Sequence, residues 1–596
     1  INIKYSSPHF LTNILFGVIF FTLYTSNANA QNYNWITPNQ TYLKMYVASD
    51  GIYRIDKSDF NNAGISVSSI DPRTVKVYYK GNQVPIYFFG EENGSFDDAD
   101  YFDFYGSRNY GGLTDAYNIN NAVIYTTDEY FNLYSDTSAY FIGWGGAFGL
   151  RFTNYSASSS TSYPTDYYFQ KFHFEQDLIY SLGQNISTQD YGNFSNDKYI
   201  GEGWYWRAMQ TSNFFDQTFN INSLPLTPQQ CKLKVFAYPG NQNTSIINEH
   251  RLVPRVNATL LDTMYRDNFN RFDTTVFFSS SLLVNGNNTM RFLNRPATGF
   301  AGIINFDMFE LSYPKQFVFD SNAILFNSDI SDSSAKVFKI KGFLSSNQLN
   351  IYDTKNGVRI SNFTFSNDTL IFIGKGNGNY QIINKNISRK PLRIKQRQVP
   401  NLVSSSTGVD YLIVYNKLFE TQAEQLRQYR NTKDGYRSYK AEIEDIYDIF
   451  NFGMEDPVAV RRFVKNVYDT WTIPKIKYLC LFGRGSLDPK KNFGVSSIYY
   501  QNYVPVYGNP TTDGYFANFN LGAFTYSRQI SVGRLPVYTT QEAQDVVNKI
   551  ISYEASASSP NDLWKTNLII TVGSSRSEQI DFIAKANYFI NTYISP

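Results

Sequence analysis

The chain has 596 residues, too many for one hydrophobic core, and a length of ~150 residues per domain indicates about three or four domains. Charged residues make up 17% and aromatic residues another 17%, a composition typical of aromatic-rich strands rather than charged helices. Lys and Arg together number 53 and Asp and Glu 51, so no field of one sign covers the molecule, and nucleic acid is excluded as a partner.

Residues 1–30 have the pattern of a secretory signal peptide. Lys4 precedes an apolar run, Ile14–Tyr24, and Ala28–Ala30 has the small-x-small form of a signal-peptidase site. A membrane anchor is the alternative, but the run is well short of the ~20 apolar residues that cross a bilayer. We therefore expect an exported chain whose mature form begins at Gln31.

Cysteine is scarce. The chain contains only Cys231 and Cys480, whereas an exported protein held together by disulfides carries many more. The two fall in different predicted domains, and a disulfide requires Cα atoms within about 7 Å of each other. We expect no disulfide, so large hydrophobic cores must stabilise the fold.

Alternating aromatic and β-branched runs, separated by turn residues, predict β domains over the first 400 residues. Examples are Thr74–Tyr79, which precedes the turn Lys80–Asn82, and Leu233–Tyr238, which ends at Pro239–Gly240. Thr369–Ile373 is a third such run. The predicted units are an N-terminal β domain (31–155), a β-sandwich of jelly-roll type (160–316) and a small β domain (317–400).

An acidic stretch in the first domain, Gly94–Phe104, places four carboxylates within seven positions. Carboxylate oxygens suit Ca²⁺, although the spacing is not that of an EF-hand. We favour a solvated turn that leads into a strand, with Phe102 and Phe104 pointing inward. A structural calcium ion is the unsupported alternative.

After a polar run, Ser404–Gly408, buried strands alternate with amphipathic helices. Tyr411–Tyr415 and Ile476–Phe482 are continuous apolar runs, typical of parallel strands covered on both faces. Between them, Asp456 and Pro457 start a helix with apolar residues at i, i+3, i+4 and i+7, which runs to Trp471. Further predicted elements are a helix at 418–429, a short strand and helical turn ending at Asn451–Gly453, a capping box of Thr539 with Glu542 before a helix to Glu554, a strand at Leu568–Val572 and a helix from about Ser577 to Tyr593. This order predicts a three-layer α/β domain with a mainly parallel sheet over 409–596.

Ligands of α/β sheets bind beyond the carboxyl ends of the strands, so the loops after Phe482 and Val572 are the places to search for chemistry. The loop Gly483–Lys490 lacks the third glycine of a dinucleotide fingerprint and contains no Gly-Lys-Ser/Thr sequence. Ser486 does not lie in a Gly-x-Ser-x-Gly elbow. Nucleotide binding and serine-hydrolase chemistry are therefore unsupported.

A cysteine or serine nucleophile normally needs a histidine base, and the histidines are His9, His173 and His250, all before the α/β domain. Cys480 lies in the middle of a predicted strand, where a thiol acts as a small buried hydrophobe with a raised pKa. We therefore expect no catalytic and no cofactor-binding residue within these 596 residues, and no cofactor. His and Cys are too few for the usual transition-metal sites, and the sequence leaves any other metal site undetermined.

The order of several blocks over 409–596 resembles the gingipain family of cysteine peptidases. The blocks are Tyr411–Val414, Gly435–Tyr436, Ile446–Gly453, Asp456–Pro457, Tyr478–Gly483, Asp488–Lys490 and Val532–Val537. Gly51–Ile55 and Gly94–Gly106 resemble the PorU-type sortases of type IX secretion within this family. Arg484 stands where such members often have Asp, so no role in this loop is carried over.

The resemblance implies a caspase-like sheet with a Cys nucleophile and a His base, both beyond Pro596. It implies a cell-surface sortase of a Gram-negative bacterium that removes C-terminal sorting domains from secreted cargo and attaches the cargo to lipopolysaccharide. Outer-membrane secretion components are then further partners. Because Ile1 is not an initiating Met, we expect a fragment, inactive by itself. A non-catalytic adhesin or secretion scaffold, with β-sandwiches that bind glycan or a partner, is the alternative.

Overall fold

The structure is a computed structural model that describes residues 33–111, 130–180, 204–319, 323–328, 330–343, 348–386, 388–494, 501–507, 511–519, 528–555, 567–573 and 581–594. The predicted signal peptide, 1–30, lies outside these residues. The chain divides into two compact units, Ile1–Tyr538 and Thr539–Pro596.

The N-terminal β domain packs two antiparallel sheets around an apolar core. Its elements are β1 (Thr41–Val47), β2 (Gly51–Asp56), α1 (Lys57–Asn62), β3 (Lys76–Tyr79), β4 (Asn82–Val84), β5 (Ile86–Phe89), β6 (Tyr101–Gly106) and β7 (Ser138–Gly143). One sheet contains β1, β7, β3 and β4, and the other has the order β2-β6-β5. Phe102 and Phe104 on β6 are buried, as predicted. The short helix α1 was not predicted, although Asp56 caps it with Asp59 in a capping box.

The β-sandwich follows two short strands, β8 (Thr153–Asn154) and β9 (Thr161–Ser162). Its strands are β10 (Tyr167–Glu175), β11 (Ile179–Tyr180), β12 (Trp204–Tyr205), β13 (Arg207–Met209), β14 (Phe214–Ile221), β15 (Gln230–Pro239), β16 (His250–Val256), β17 (Thr259–Leu260), β18 (Met264–Arg266), β19 (Phe272–Ser279), β20 (Gly286–Asn294) and β21 (Ile304–Gln316). Two antiparallel sheets, β10-β21-β15-β19 and β14-β20-β16-β17, enclose one core. These two sheets confirm the predicted β-sandwich. Within it, alternate residues of β15, such as Leu233 and Val235, are buried.

The next β region contains β22 (Ala323–Asn327), β23 (Ala335–Ile340), β24 (Leu349–Asp353), β25 (Val358–Ile360), β26 (Phe363–Ser366), β27 (Thr369–Lys375), β28 (Asn379–Asn384) and β29 (Arg393–Gln398). Its two sheets have the orders β22-β28-β24-β25-β8 and β26-β27-β23-β9. The strand β29 pairs antiparallel with β1, so residues 393–398 extend the sheet of the N-terminal domain. Such long-range pairing leaves no local signal in the sequence.

The α/β region contains β30 (Tyr411–Tyr415), α2 (Glu420–Asp434), β31 (Ser438–Glu442), α3 (Ile443–Phe450), α4 (Pro457–Thr470), β32 (Tyr478–Phe482) and β33 (Ser531–Leu535). The strands form a wholly parallel sheet in the order β31-β30-β32-β33. Leu412 opposes Leu479 in this sheet, and both are buried. The predicted parallel α/β fold is confirmed.

Helices cover both faces of this sheet. Successive strand residues point to opposite sides, so each face presents apolar side chains to a different set of helices. Leu412 and Leu481 share a core with Ile446 of α3 and Phe463 of α4. On the other face, Phe482 packs against Phe419, just before α2, with ring centroids 5.9 Å apart. The three layers predicted from the sequence are therefore present.

The helix boundaries follow local capping. Asp456 accepts the N–H of Val458 at 2.8 Å, and Pro457 occupies the first turn of α4, as predicted. The helix α2 extends to Asp434, beyond the predicted end at 429, and ends where Gly435 adopts a left-handed φ of 67°.

The second unit contains α5 (Thr540–Ala555) and α6 (Phe582–Phe589), which continues as a π-helical turn, Ile590–Ile594. Thr539 Oγ1 accepts the N–H of Glu542 at 3.1 Å, one half of the predicted capping box. The predicted strand Leu568–Val572 is wrong, since 567–573 have no regular secondary structure. No described strand of this unit lies beside it, and an unpaired strand leaves its backbone groups without partners. No described helix is long and apolar enough to cross a membrane.

Candidate active site

The candidate site is the edge at which β30, β32 and β33 end, where α/β sheets bind ligands. The loop after β32 begins at Gly483, whose N–H donates to the carbonyl of Leu535 at 3.0 Å. The N–H of Arg484 donates to the carbonyl of Val537 at 3.0 Å, and the carbonyl of Arg484 accepts the N–H of Tyr503 at 2.8 Å. The loop therefore extends the sheet beyond the last residues of β32 and β33.

Arg534, near the end of β33, joins the loops of this edge. Its guanidinium donates to the carbonyl oxygens of Gly483, Val504 and Pro505 at 2.8, 2.7 and 2.9 Å. Two N–H groups of the same guanidinium donate to the Asp513 carboxylate at 2.9 and 2.7 Å. A planar guanidinium holds several acceptors in one geometry, so Arg534 makes this edge rigid. Sequence reasoning gave Arg534 no role of its own, although it lies in the block Val532–Val537.

The two glycines of the loop serve close packing. Gly483 has a φ of 143°, in the region that favours glycine. A Cβ on Gly485 would lie 2.5 Å from Val506 Cγ1 and 2.8 Å from the carbonyl oxygen of Val504. The glycines therefore let this loop lie against the segment from 504 to 506, which gives no support to a phosphate cradle.

Ser486 and Asp488 form the turn of the same loop. The Ser486 hydroxyl accepts the N–H of Asp488 at 3.0 Å, and the Asp488 carboxylate accepts the N–H groups of Asn492 and Phe493 at 2.8 and 3.0 Å. Both side chains are buried and bound to the backbone of their own loop. These contacts order the loop.

Both cysteines are buried and free. Cys480 pairs with Ile413 and Gly533 in the middle of the parallel sheet. Burial raises the pKa of the Cys480 thiol to about 11 and that of Cys231 to about 12. A thiol that stays protonated at neutral pH is a poor nucleophile, so the geometry supports a structural role for Cys480.

The sheet order, the loops and the sequence blocks on them can now be compared with known proteins. Residues 404–594 match the sequence profile of peptidase family C25. This region is a peptidase family C25 domain. The resemblance to the gingipain family, based on blocks between Tyr411 and Val537, is confirmed for this region. No curated protein matches the chain.

Among solved structures, the fold is similar to that of dimeric latent PorU from Porphyromonas gingivalis, with a TM-score of 0.62 at 18% identity. The match covers 87% of this chain and 50% of that chain, so the chain spans half the length of PorU. It therefore includes β domains as well as the C25 domain, and it shows a shared fold.

Two carbohydrate-active proteins give much weaker matches. A CBM36-1 domain of a xylanase from the hindgut metagenome of Trinervitermes trinervoides has a TM-score of 0.16 at 14% identity, over 24% of this chain and 96% of that chain. A β-porphyranase from Bacteroides plebeius has a TM-score of 0.15 at 9% identity, over 47% and 36%. These scores are too low to establish a common fold.

The loop after β32 of the C25 domain also contacts both preceding β domains. Lys490 Nζ lies 3.5 Å from an Asp136 oxygen in the N-terminal domain and 3.1 Å from an Asp177 oxygen in the β-sandwich. Asn492 donates to Asp177 at 3.0 Å, and the ring of Phe493 packs edge-on against Trp204 at 4.8 Å. This three-domain junction fixes one side of the candidate site. Sequence reasoning missed it, because its members come from different domains and lie far apart in the sequence.

A buried charge network joins the C25 domain to β1 and β29 of the N-terminal sheet. Lys44 Nζ lies 2.5 Å from Asp448 Oδ1, and Arg397 donates to the other Asp448 oxygen at 2.7 Å. Arg397 also donates to Asp445 at 2.7 Å. A third carboxylate, Glu444, lies 3.6 Å from Lys44 Nζ. All three carboxylates lie on the first two turns of α3. The N-terminal sheet therefore packs on the C25 domain through matched buried charges.

Two carboxylates of the network have pKa values that are shifted in opposite directions. Burial disfavours ionisation of Glu444, but Lys44, with the neighbouring cations Arg397 and Lys395, outweighs it and lowers the pKa of Glu444 to about 2. Burial raises the pKa of Asp445 to about 7, because Arg397 only partly offsets it and further carboxylates lie nearby. The network therefore holds a proton on Asp445 over much of the acidic range.

The acidic stretch Gly94–Phe104 is a turn that leads into β6, as favoured from the sequence. Two of its four carboxylates bind neighbouring cations: Asp98 pairs with Lys57 at 2.7 Å, and Asp103 receives two hydrogen bonds from Arg54 at 2.7 and 2.8 Å. Within the described ranges, no group of three His, Cys, Asp or Glu side chains is arranged to hold a metal ion.

Proposed function

We propose that the full-length protein is a cysteine peptidase of the gingipain type that acts as a cell-surface sortase. It removes C-terminal sorting domains from cargo of type IX secretion and passes the shortened cargo to lipopolysaccharide. The observation that carries the proposal is the similarity to PorU across 87% of this chain, β domains included, together with the C25 domain at 404–594.

In this proposal the nucleophilic Cys and the basic His lie outside the 596 residues. The sequence from 404 to 596 contains no His, and its only Cys is Cys480, which is buried in the middle of a strand. A Cys nucleophile needs an ionisable thiol with a base in reach. The rigid edge around Arg534 then supports the site, and the present chain alone has no peptidase activity.

The proposed location is the outer surface of a Gram-negative bacterium, reached through the signal peptide at 1–30. Secreted cargo is the proposed protein substrate, and outer-membrane secretion components and lipopolysaccharide are the proposed partners. The chemistry of a Cys-His pair requires no cofactor. Large aromatic cores, rather than disulfides, hold the β domains together.

The test uses the purified full-length protein and a cargo fusion that carries a C-terminal sorting domain. We expect one cleavage before the sorting domain, loss of cleavage after treatment with a thiol-directed inhibitor, and no cleavage of the same fusion without the domain. Intact fusion after long incubation, in a preparation whose β domains are folded, would overturn the proposal.

A non-catalytic adhesin or secretion scaffold is the second candidate. One observation favours it: the carboxyl-edge loop is occupied by structural contacts, since Lys490, Asn492 and Phe493 all bind neighbouring domains. Labelling of the full-length protein with a thiol-directed peptidase probe separates the two. An enzyme is labelled at one Cys other than Cys231 and Cys480, whereas a scaffold binds cargo without being labelled.

A further inference from the structure

One end of the β-sandwich contains a buried carboxylate with an unused oxygen. Glu249, directly before β16, is fully buried. Its Oε1 accepts the N–H groups of Asn243 and Asn268, each at 3.0 Å, so two loops point backbone donors at this side chain. Its Oε2 is buried and has no hydrogen-bond partner in the part of the chain that the structure describes. A buried carboxylate oxygen without a partner is destabilising, so something besides the protein is expected to bind it.

No Lys or Arg of the described residues forms an ion pair with Glu249. Among the described residues, the nitrogen that lies within ion-pair distance of Glu249 is His250 Nε2, which is 3.5 Å from Glu249 Oε1. That nitrogen donates instead to the carbonyl of Asn241 at 2.8 Å. The Glu249 carboxylate therefore receives no hydrogen bond from a cationic side chain of the described residues, an arrangement that proteins avoid or fill with a cation.

Further oxygen atoms surround this charge. Asn268 Oδ1 is also buried, without a hydrogen-bond partner among the described residues, and the backbone N–H of the same residue donates to Glu249. Asp267, on the same loop as Asn268, adds a second carboxylate, of which Oδ1 accepts the N–H of Asn248, directly before Glu249. Buried oxygens of Glu249 and Asn268 are thus left unused where these two loops meet. Hard oxygen ligands in irregular loops are the coordination that Ca²⁺ prefers, and they suit Zn²⁺ poorly.

We propose that Glu249, Asp267 and Asn268 form a calcium site that joins the loop before β16 to the loop between β18 and β19. Backbone carbonyls and water complete the coordination sphere, as is usual for Ca²⁺. With two carboxylates, the site belongs with extracellular modules that bind at about 10⁻⁴ M. The ion stabilises the end of the sandwich and takes no part in the proposed peptidase chemistry.

The test compares thermal unfolding of the full chain after chelation, with and without 10 mM Ca²⁺, at matched ionic strength. At roughly a hundred times the Kd, Ca²⁺ should raise the transition that includes the sandwich by roughly 5 °C, and 10 mM Mg²⁺ should raise it much less. Glu249→Gln should abolish the shift and, without metal, should be at least as stable as the wild type, because the buried charge is gone. Asp216→Asn, which removes an exposed carboxylate of the same sandwich, should keep the shift.

A second variant keeps the test decisive if Glu249→Gln fails to fold. Asn268→Asp keeps a residue that tolerates the positive φ of 55° and adds a ligand charge, so calorimetry should show roughly tenfold tighter Ca²⁺ binding. A wild-type chain with no Ca²⁺ shift, an equal shift in Glu249→Gln, unchanged affinity in Asn268→Asp, or a response to Zn²⁺ but not Ca²⁺ would each overturn the proposal.

Discussion

Replacing Lys44 by Met tests how strongly the N-terminal sheet is attached to the C25 domain. The Lys44 side chain on β1 is 2% exposed, and its Nζ lies 2.5 Å from an oxygen of the fully buried Asp448. Met has a similar length and an apolar, adaptable side chain, so the variant removes the charge and little packing volume. Asp448 keeps its hydrogen bond from Arg397 at 2.7 Å but loses one of its two cations.

The expected loss follows from the burial of this pair. Removing one partner of a buried ion pair costs about 3–5 kcal/mol, because the remaining charge stays out of water. Because Arg397 remains, we expect the lower end, about 3 kcal/mol. At about 1.4 kcal/mol per factor of ten, amide hydrogens of β1 and α3 that exchange by local opening should exchange roughly 100-fold faster.

Hydrogen exchange followed by mass spectrometry measures this effect for each segment of the folded chain. The matched control is Lys465→Met, which breaks the exposed pair with Asp469, whose two side chains are 42% and 45% exposed. An exposed pair contributes about 0–1 kcal/mol, so the control should change exchange of α4 by less than about fivefold. Exchange of β1 and α3 in Lys44→Met that stays close to that of the wild type would refute the reasoning.

Four further results are expected. Glu444, with a pKa lowered to about 2, contributes stability that is present above pH 4.5 and is lost as the pH falls toward 2. Asp445, with a pKa raised from 3.8 to about 7, binds its proton more tightly in the folded state, so stability declines as the pH rises from about 4 to about 7. Asp445→Asn should remove this decline, measured as the thermal midpoint at each pH. An unchanged slope of midpoint against pH would contradict the prediction. Cys480→Ala should leave the activity of the full-length peptidase unchanged, and thiol reagents should not modify Cys480 in the native chain at neutral pH; modification there would show that its burial is misjudged. Lys490→Met should accelerate amide exchange of residues 483–494 about tenfold by removing the ion pair with Asp177, and exchange as slow as in the wild type would exclude a role for the junction in ordering the loop.

Several elements could be predicted because their signals are local. The start of α4 is encoded by Asp456 and Pro457, a cap and a first-turn residue next to each other, followed by an apolar stripe. The strands β30 and β32 are continuous apolar runs, the pattern typical of parallel strands that are covered by helices on both faces. The strand predicted at Leu568–Val572 has the same kind of apolar run, but no described strand of its unit pairs with it. An apolar run by itself does not guarantee a partner strand.

The candidate site was predicted only in outline. The loop after Phe482 was identified from the general position of ligand sites in α/β sheets, and Cys480 was assigned a structural role from its place within a strand. Arg534 and Lys490 were missed, because the groups that they bind come from loops and domains distant in sequence. No spacing rule links a lysine at 490 to carboxylates at 136 and 177.

The amino-acid sequence by itself determined most of the strands and helices, the change from β domains to a parallel α/β domain near 408, and the membership of that domain in a peptidase family. These properties depend on the periodicity and order of neighbouring residues. Only the tertiary structure decided that β29 completes the sheet of β1, that α3 meets Lys44 and Arg397, and that the loop after β32 docks on two β domains. Those contacts form between segments hundreds of residues apart, where the energy of burying a charge or pairing a strand depends on a partner that local sequence does not specify.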